Sequence, residues 1–225
     1  MIPQELVEYI ETSVIFKYHQ LDTSHDTTHV RQVIANSFQI IQELKDASID
    51  ERMVYVVAAY HDLGLLAGRA GHEQRSKELL LADKGLSRWF SAAELQMMGE
   101  AVADHRASSS HEPRSIYGKI VSEADRDIDF WRILRRTYVY AIEKKQLRHP
   151  QVLADEAYDY LTKKYGCDSG LVFWLEYSRN RKNLQELQAF LQNPEEFASA
   201  CQEVYKKLQQ AGFLDQAASS CASLG

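Results

Sequence analysis

Apolar positions along the 225-residue chain recur mostly three and four residues apart, the period of an amphipathic helix. In segment 26–45, Asp26 stands where an N-cap belongs, and Val30, Val33, Ile34, Phe38, Ile41 and Leu44 follow at helical spacing. Segment 50–63 carries Val54, Val57, Ala58 and His61 on one face, and Gly64 reads as the stop after it. Segment 72–84 is helical in composition and closes at Gly85. Ser91 and Glu94 form a capping-box signature for a helix running through Leu95, Met98, Val102 and His105. Tyr117, Val121, Asp125 and Ile128 share one stripe of a fifth helix.

The second half reads more plainly. Segments 130–147 and 150–165 are helical, the latter opened by Pro150 and stopped at Gly166. The run Leu171 to Tyr177 is apolar and aromatic, and periodicity assigns it to neither helix nor strand. Arg179 to Lys182 reads as a solvated turn or a helix start. Asn193, Pro194, Glu195 and Glu196 give an N-cap, an N1 proline and an acidic first turn for a last helix ending at Gly212. The small polar tail from Ala217 is expected to fray. Phe130, Trp131, Phe173 and Trp174 are expected in the core.

Composition agrees with an all-α protein. Glycine and proline together number fourteen, too few for the turns of a β sandwich or barrel. No repeat or linker forces a boundary, so residues 1–225 are expected to form one domain. Lys and Arg total 26 against 32 Asp and Glu, a formal charge of −6, which excludes a basic nucleic-acid footprint. No apolar run is long enough for a membrane span, and the amino terminus lacks a secretory pattern. Cys167, Cys201 and Cys221 are odd in number and outside any zinc spacing, so they read as free thiols of a reducing, cytoplasmic compartment.

The candidate chemistry lies in the histidines. His61 and Asp62 are adjacent at the end of an otherwise apolar segment, where ionisable groups are costly unless partnered. Both can reach one ion placed beyond the helix terminus. Imidazole nitrogen with carboxylate oxygen suits Mn, Fe, Zn, Co or Ni, and Mg where carboxylate and water dominate. His29, His72, His105 and Asp125 then fall one per predicted helix, as when a bundle assembles a metal site from facing helices. His25, His111, His19 and His149 read as surface or rim positions.

The order of Asp26-Thr27-Thr28-His29, His61-Asp62-Leu63-Gly64, Gly71-His72-Glu73, Asp104-His105-Arg106 and Glu123-Ala124-Asp125-Arg126 resembles the HD-domain superfamily of metal-dependent phosphohydrolases. The resemblance covers about residues 20–130. It implies an HD-like helical bundle, with additional helices over about 131–212. It also implies that His29, His61, Asp62 and Asp125 hold a first divalent ion, and that His72 and His105 accommodate a second, bridged by Asp62. The implied activity is hydrolysis of a phosphate ester or anhydride in a small phosphorylated substrate, a nucleotide above all. Besides Asp62, Arg106, Lys119 and Arg126 are the candidate catalytic residues, as cations suited to phosphate oxygens. Some nucleotidase members place an acid just after the His-Asp pair; here Leu63, Gly64, Leu65 and Leu66 occupy those positions. Two other functions fit the same ligand set: a di-iron oxygenase, and a non-catalytic nucleotide-binding protein.

Overall fold

The computed structural model describes residues 2–22, 25–106, 111–126, 128–176 and 178–214. Ten α-helices account for most of them, and there is no strand among the described residues. The chain packs as two compact units. The first runs through Arg126 and takes in the later segment Phe173–Ser178; the second comprises residues 128–172 and those from Arg179 onward.

In the first unit, α1 (Gln4–Ser13) and a 3-10 turn (Ile15–Gln20) precede α2 (Thr27–Leu44). Asp26 caps α2 as its side chain accepts the amides of Thr28 and His29, satisfying two of the free donors of the first turn. α3 (Glu51–Tyr60) follows, capped by Asp50. From Met53 to Tyr60 every residue of α3 is buried, as expected for a helix apolar on all sides. It packs against α2, α4 (His72–Ala82), α5 (Ala92–Ala103) and α6 (Ile116–Asp125), which makes it the central post of the unit. Ser91 and Glu94 form the predicted capping box at the start of α5.

Gly64 acts differently from its sequence reading. α3 ends at Tyr60, and Gly64 lies within a 3-10 turn (Leu63–Ala67) without a left-handed φ. Its role is close approach: a Cβ there would meet the His72 carbonyl oxygen at 2.1 Å and the Ser76 amide nitrogen at 2.8 Å. Glycine lets this turn lie directly on the first turn of α4.

The second unit contains α7 (Phe130–Lys144), α8 (Pro150–Tyr165), α9 (Arg179–Gln192) and α10 (Pro194–Gln210). Phe130 stacks on Phe190 with ring centroids 4.0 Å apart. Asn193 caps α10 and Pro194 occupies its first turn, as the sequence indicates. Arg179 to Lys182 is the first turn of α9. Trp131 is 40% exposed, which corrects its assignment to the core; it lies on the solvent side of α7 while its neighbour Phe130 turns inward. Cys167 and Cys201 are free thiols, whereas Cys221 and the tail from Ala217 lie outside the described residues. No helix of the described residues is long and apolar enough to cross a membrane.

Candidate metal centre

Five helix ends converge in the first unit. His29 is the third residue of α2, His61 directly follows the last residue of α3, and Asp62 comes next. His72 is the first residue of α4, His105 lies two residues beyond α5, and Asp125 is the last residue of α6. His61 keeps helical backbone angles (φ −49°, ψ −44°) while Asp62 leaves them (φ −107°, ψ 5°), so the two side chains are not held to the 100° divergence of adjacent helical residues. His61 is fully buried, while Asp62 and His105 are 5% and 2% exposed. Burial of so many polar groups costs heavily unless they satisfy one another or a shared cation.

Their geometry satisfies that condition. The Nε2 atoms of His29 and His61 are 3.2 Å apart. Asp62 Oδ2 lies 3.3 Å from His61 Nε2 and 3.5 Å from His29 Nε2. Asp125 Oδ1 completes this group at 3.2 Å from His29 Nε2 and 3.8 Å from His61 Nε2. The other oxygen of Asp62, Oδ1, faces a second pair, with His72 Nε2 at 3.2 Å and His105 Nε2 at 3.5 Å. Metal–ligand bonds of roughly 2.0–2.2 Å set neighbouring ligand atoms about 2.8–3.6 Å apart at octahedral to tetrahedral angles. Most of these separations fall in that range, and two groups of three result: His29, His61 and Asp125, and Asp62, His72 and His105.

The imidazoles are held in one orientation by the backbone. Nδ1 of His61 donates to the Ala58 carbonyl (2.7 Å), that of His72 to Arg69 (3.0 Å) and that of His105 to Val102 (2.7 Å). A carbonyl only accepts, so Nδ1 carries a proton in each ring and Nε2 is the atom turned to the centre. Such outer hydrogen bonds orient metal-ligating histidines. Asp62 is anchored too: its amide donates to the buried Tyr18 hydroxyl, which donates to the Ala59 carbonyl. Two residues before Asp62, Tyr60 donates to Asp83, which also accepts from Tyr9. The end of α3 is therefore pinned from two sides.

The charges reinforce one another. Burial opposes a charge on His29, yet the hydrogen bonds it donates to Asp125 and Asp62 override it and raise its pKa to about 10. His61 is raised by Asp62 against its own burial, and His72 is raised chiefly by its hydrogen bond to Asp62. Asp62 is held far below the usual carboxylate range by the surrounding imidazoles despite burial, and Asp125 is lowered mainly by His29. The pocket is built to hold positive charge beside two carboxylates, and protons and divalent cations compete for the same Nε2 atoms.

The structure thus brings together all six residues expected as ligands. The three cations are more dispersed. Arg106 pairs with Glu73 at 3.3 Å, and Glu73 in turn lies 3.2 Å from His72 Nδ1. Lys119 is bonded to Glu112. Arg126 is buried, with its guanidinium 5.2 Å from the centroid of Phe173. His25 sits at the rim against His29, and His19, His111 and His149 are exposed. Sequence reasoning gave no role to Tyr18, Glu73 or Glu123. Glu73 follows His72 directly and was within reach of a motif-based reading, whereas the Tyr18 contact is visible only in the fold.

Comparison with known families agrees with this geometry. The family model described as HD domain matches residues 27–127, a span that includes all six converging residues. No curated protein and no solved structure matches the chain.

Proposed function

From the premise that residues 27–127 of this chain are an HD domain, we propose that the protein is a metal-dependent phosphohydrolase acting on a nucleotide. The observation that carries this reading is the division of Asp62, whose Oδ2 faces His29 and His61 while its Oδ1 faces His72 and His105. A carboxylate so placed can serve two cation sites at once. In this reading His29, His61, Asp62 and Asp125 hold one divalent ion, and Asp62, His72 and His105 hold a second. The bound ions supply Lewis acidity toward a phosphoryl oxygen and a water acidic enough to ionise near neutral pH.

The chain's own residues do the remainder. The carbonyls of Ala58, Arg69 and Val102 keep the three Nδ1 protons in place, so the Nε2 atoms stay available as ligands. Two carboxylates among six ligands leave the loaded site neutral with one divalent ion and net positive with two, which favours an anionic substrate. Arg106 and Arg126 supply guanidinium groups for phosphate oxygens, and Lys119 adds a third cation. No acid follows His61-Asp62 at positions 63–66, so the role of a water-orienting carboxylate falls to Asp62 itself or to Glu73 beside His72. Nucleotides are the most abundant phosphorylated metabolites with enough apolar surface to engage a pocket, and they are the substrates the family resemblance implies.

The test is a phosphate-release screen over nucleoside mono-, di- and triphosphates and sugar phosphates, with Mn, Mg, Co and Ni. The expected result is release from a nucleotide that a chelator abolishes and added metal restores. Absence of release from every compound with every metal would overturn the reading. Release from a sugar phosphate alone would keep the reaction class and replace the substrate.

A further inference from the structure

The segment Phe173–Ser178 packs with the HD-domain unit although it lies 46 residues beyond the end of the family match. Leu175 is buried in the core of that unit. Glu123, which is 1% exposed, accepts the amides of Trp174 (3.0 Å) and Leu175 (3.5 Å) on Oε1, and the Ser178 hydroxyl donates to its Oε2. Three residues on, the guanidinium of Arg126 lies against the Phe173 ring. The two tethers flank Asp125, the last residue of α6 and the most exposed of the carboxylates and imidazoles at the centre, at 25%. Asn36, from α2, donates to the Ala124 carbonyl in the same turn.

A helix end is the least constrained part of a helix, since its last carbonyls have no partner within it. Asp125 needs a fixed side-chain direction to meet His29 at 3.2 Å. We propose that the Phe173–Ser178 segment is a positioning element of the metal centre, and that Glu123 and Phe173 fix Asp125 through the residues on either side of it. The inference rests on the reading of the six residues as metal ligands. It makes the HD unit dependent on a stretch of chain outside the family's span. Phe173, Ser178 and Glu123 are positioning residues in this account, since none of them touches the ligand atoms.

The experiment uses the full chain and Co²⁺ as probe, because its visible absorption reports coordination geometry. Glu123→Gln, Ser178→Ala and Phe173→Leu are titrated with Co²⁺ beside the parent, Phe173→Tyr and a core control, Leu86→Ala, on the 3-10 turn Lys84–Arg88. Loss of outer contacts to metal ligands costs about 10–100-fold in affinity. Glu123→Gln and Phe173→Leu should therefore weaken the Co²⁺ site that includes Asp125 about tenfold and alter its spectrum. Phe173→Tyr should keep the parent values, and Leu86→Ala should lower thermal stability without changing the spectrum. Ser178→Ala removes a single hydroxyl and keeps the test open if Glu123→Gln does not fold. Parent affinity and spectrum in the segment variants, whatever their stability, would overturn the proposal. Failure of the parent to bind Co²⁺ would overturn it together with the metal reading, whereas Co²⁺ binding without any phosphate release would leave it standing.

Discussion

His72 Nε2 lies 3.2 Å from Oδ1 of Asp62, on the opposite side of that carboxylate from His61. One aspartate therefore joins two histidine groups that would otherwise be separate. Asp62→Asn, which preserves shape and removes the shared charge, should deplete the bound metal, at both positions if two are filled, in elemental analysis of reconstituted protein. His72→Ala should leave the ion beside His29 and His61 in place. Equal metal content in parent and Asp62→Asn would refute the bridging role.

Gly64 and His72 define the next expectation. A methyl group on residue 64 would stand 2.1 Å from the His72 carbonyl oxygen, a backbone atom that cannot rotate away. Gly64→Ala should force apart the 3-10 turn and α4 and destabilise the protein by about 1–3 kcal/mol or more. Denaturant unfolding measures that loss. Metal affinity should fall with it because His72 begins α4. A neutral substitution would show that the turn can separate from α4 at no cost.

Arg106 separates stability from activity. Its side chain is 45% exposed and paired with the partly buried Glu73, so the ion pair contributes less than about 1 kcal/mol to folding. Arg106→Ala should leave the melting temperature nearly unchanged. If Arg106 meets the substrate phosphate, kcat/KM should fall by an amount on the order of 2–4 kcal/mol. Unaltered kinetics would remove Arg106 from the site.

The buried tyrosines predict behaviour in alkali. Burial, with the Asp83 hydrogen bond, pushes Tyr9 up to about 12, and burial pushes Tyr55 up to about 12. Tyr60 is raised for the same reasons as Tyr9. A folded pKa above the unfolded value of about 10 means that the unfolded chain gives up its protons first. The stability these groups contribute is thus complete below about pH 10 and is lost as pH rises through about 12. Urea midpoints measured between pH 8 and 11 should fall. The Tyr55 hydroxyl is buried with no hydrogen-bond partner among the described residues, so Tyr55→Phe should be neutral or stabilising within about 1 kcal/mol at pH 8. It should also lose less stability by pH 11. A larger alkaline loss in Tyr55→Phe than in the parent would contradict the assignment.

Much of the centre is legible in the sequence because its chemistry is local to helix ends. Asp26 as an N-cap fixes where α2 begins, and with it the position of His29. The apolar run before His61 announces a buried helix, and Ser91 with Glu94 places α5 in register for His105. What was hidden is tertiary. Leu6 and Ile10 on α1, and Leu184, Leu187 and Leu191 on α9, carry helical spacing, yet each stripe is short and set among polar residues. Gly64 looked like a helix stop because its real neighbours, His72 and Ser76, are 8 and 12 residues away. The Glu123 contacts with Trp174 and Ser178 span more than fifty residues and leave no periodic trace. Residue type alone puts Trp131 in the core, while its place on α7 turns it to solvent.

His29, His61, Asp62 and Asp125 share one centre, with His72 and His105 beside it. Anomalous scattering from crystals grown with Mn²⁺ and recorded at the manganese edge tests this most directly. The predicted map has a peak about 2.0–2.3 Å from Nε2 of His29 and His61 and from the facing oxygens of Asp62 and Asp125, with a second peak permitted only between Asp62, His72 and His105. A map with no peak at these residues, or with its manganese bound elsewhere, would contradict it.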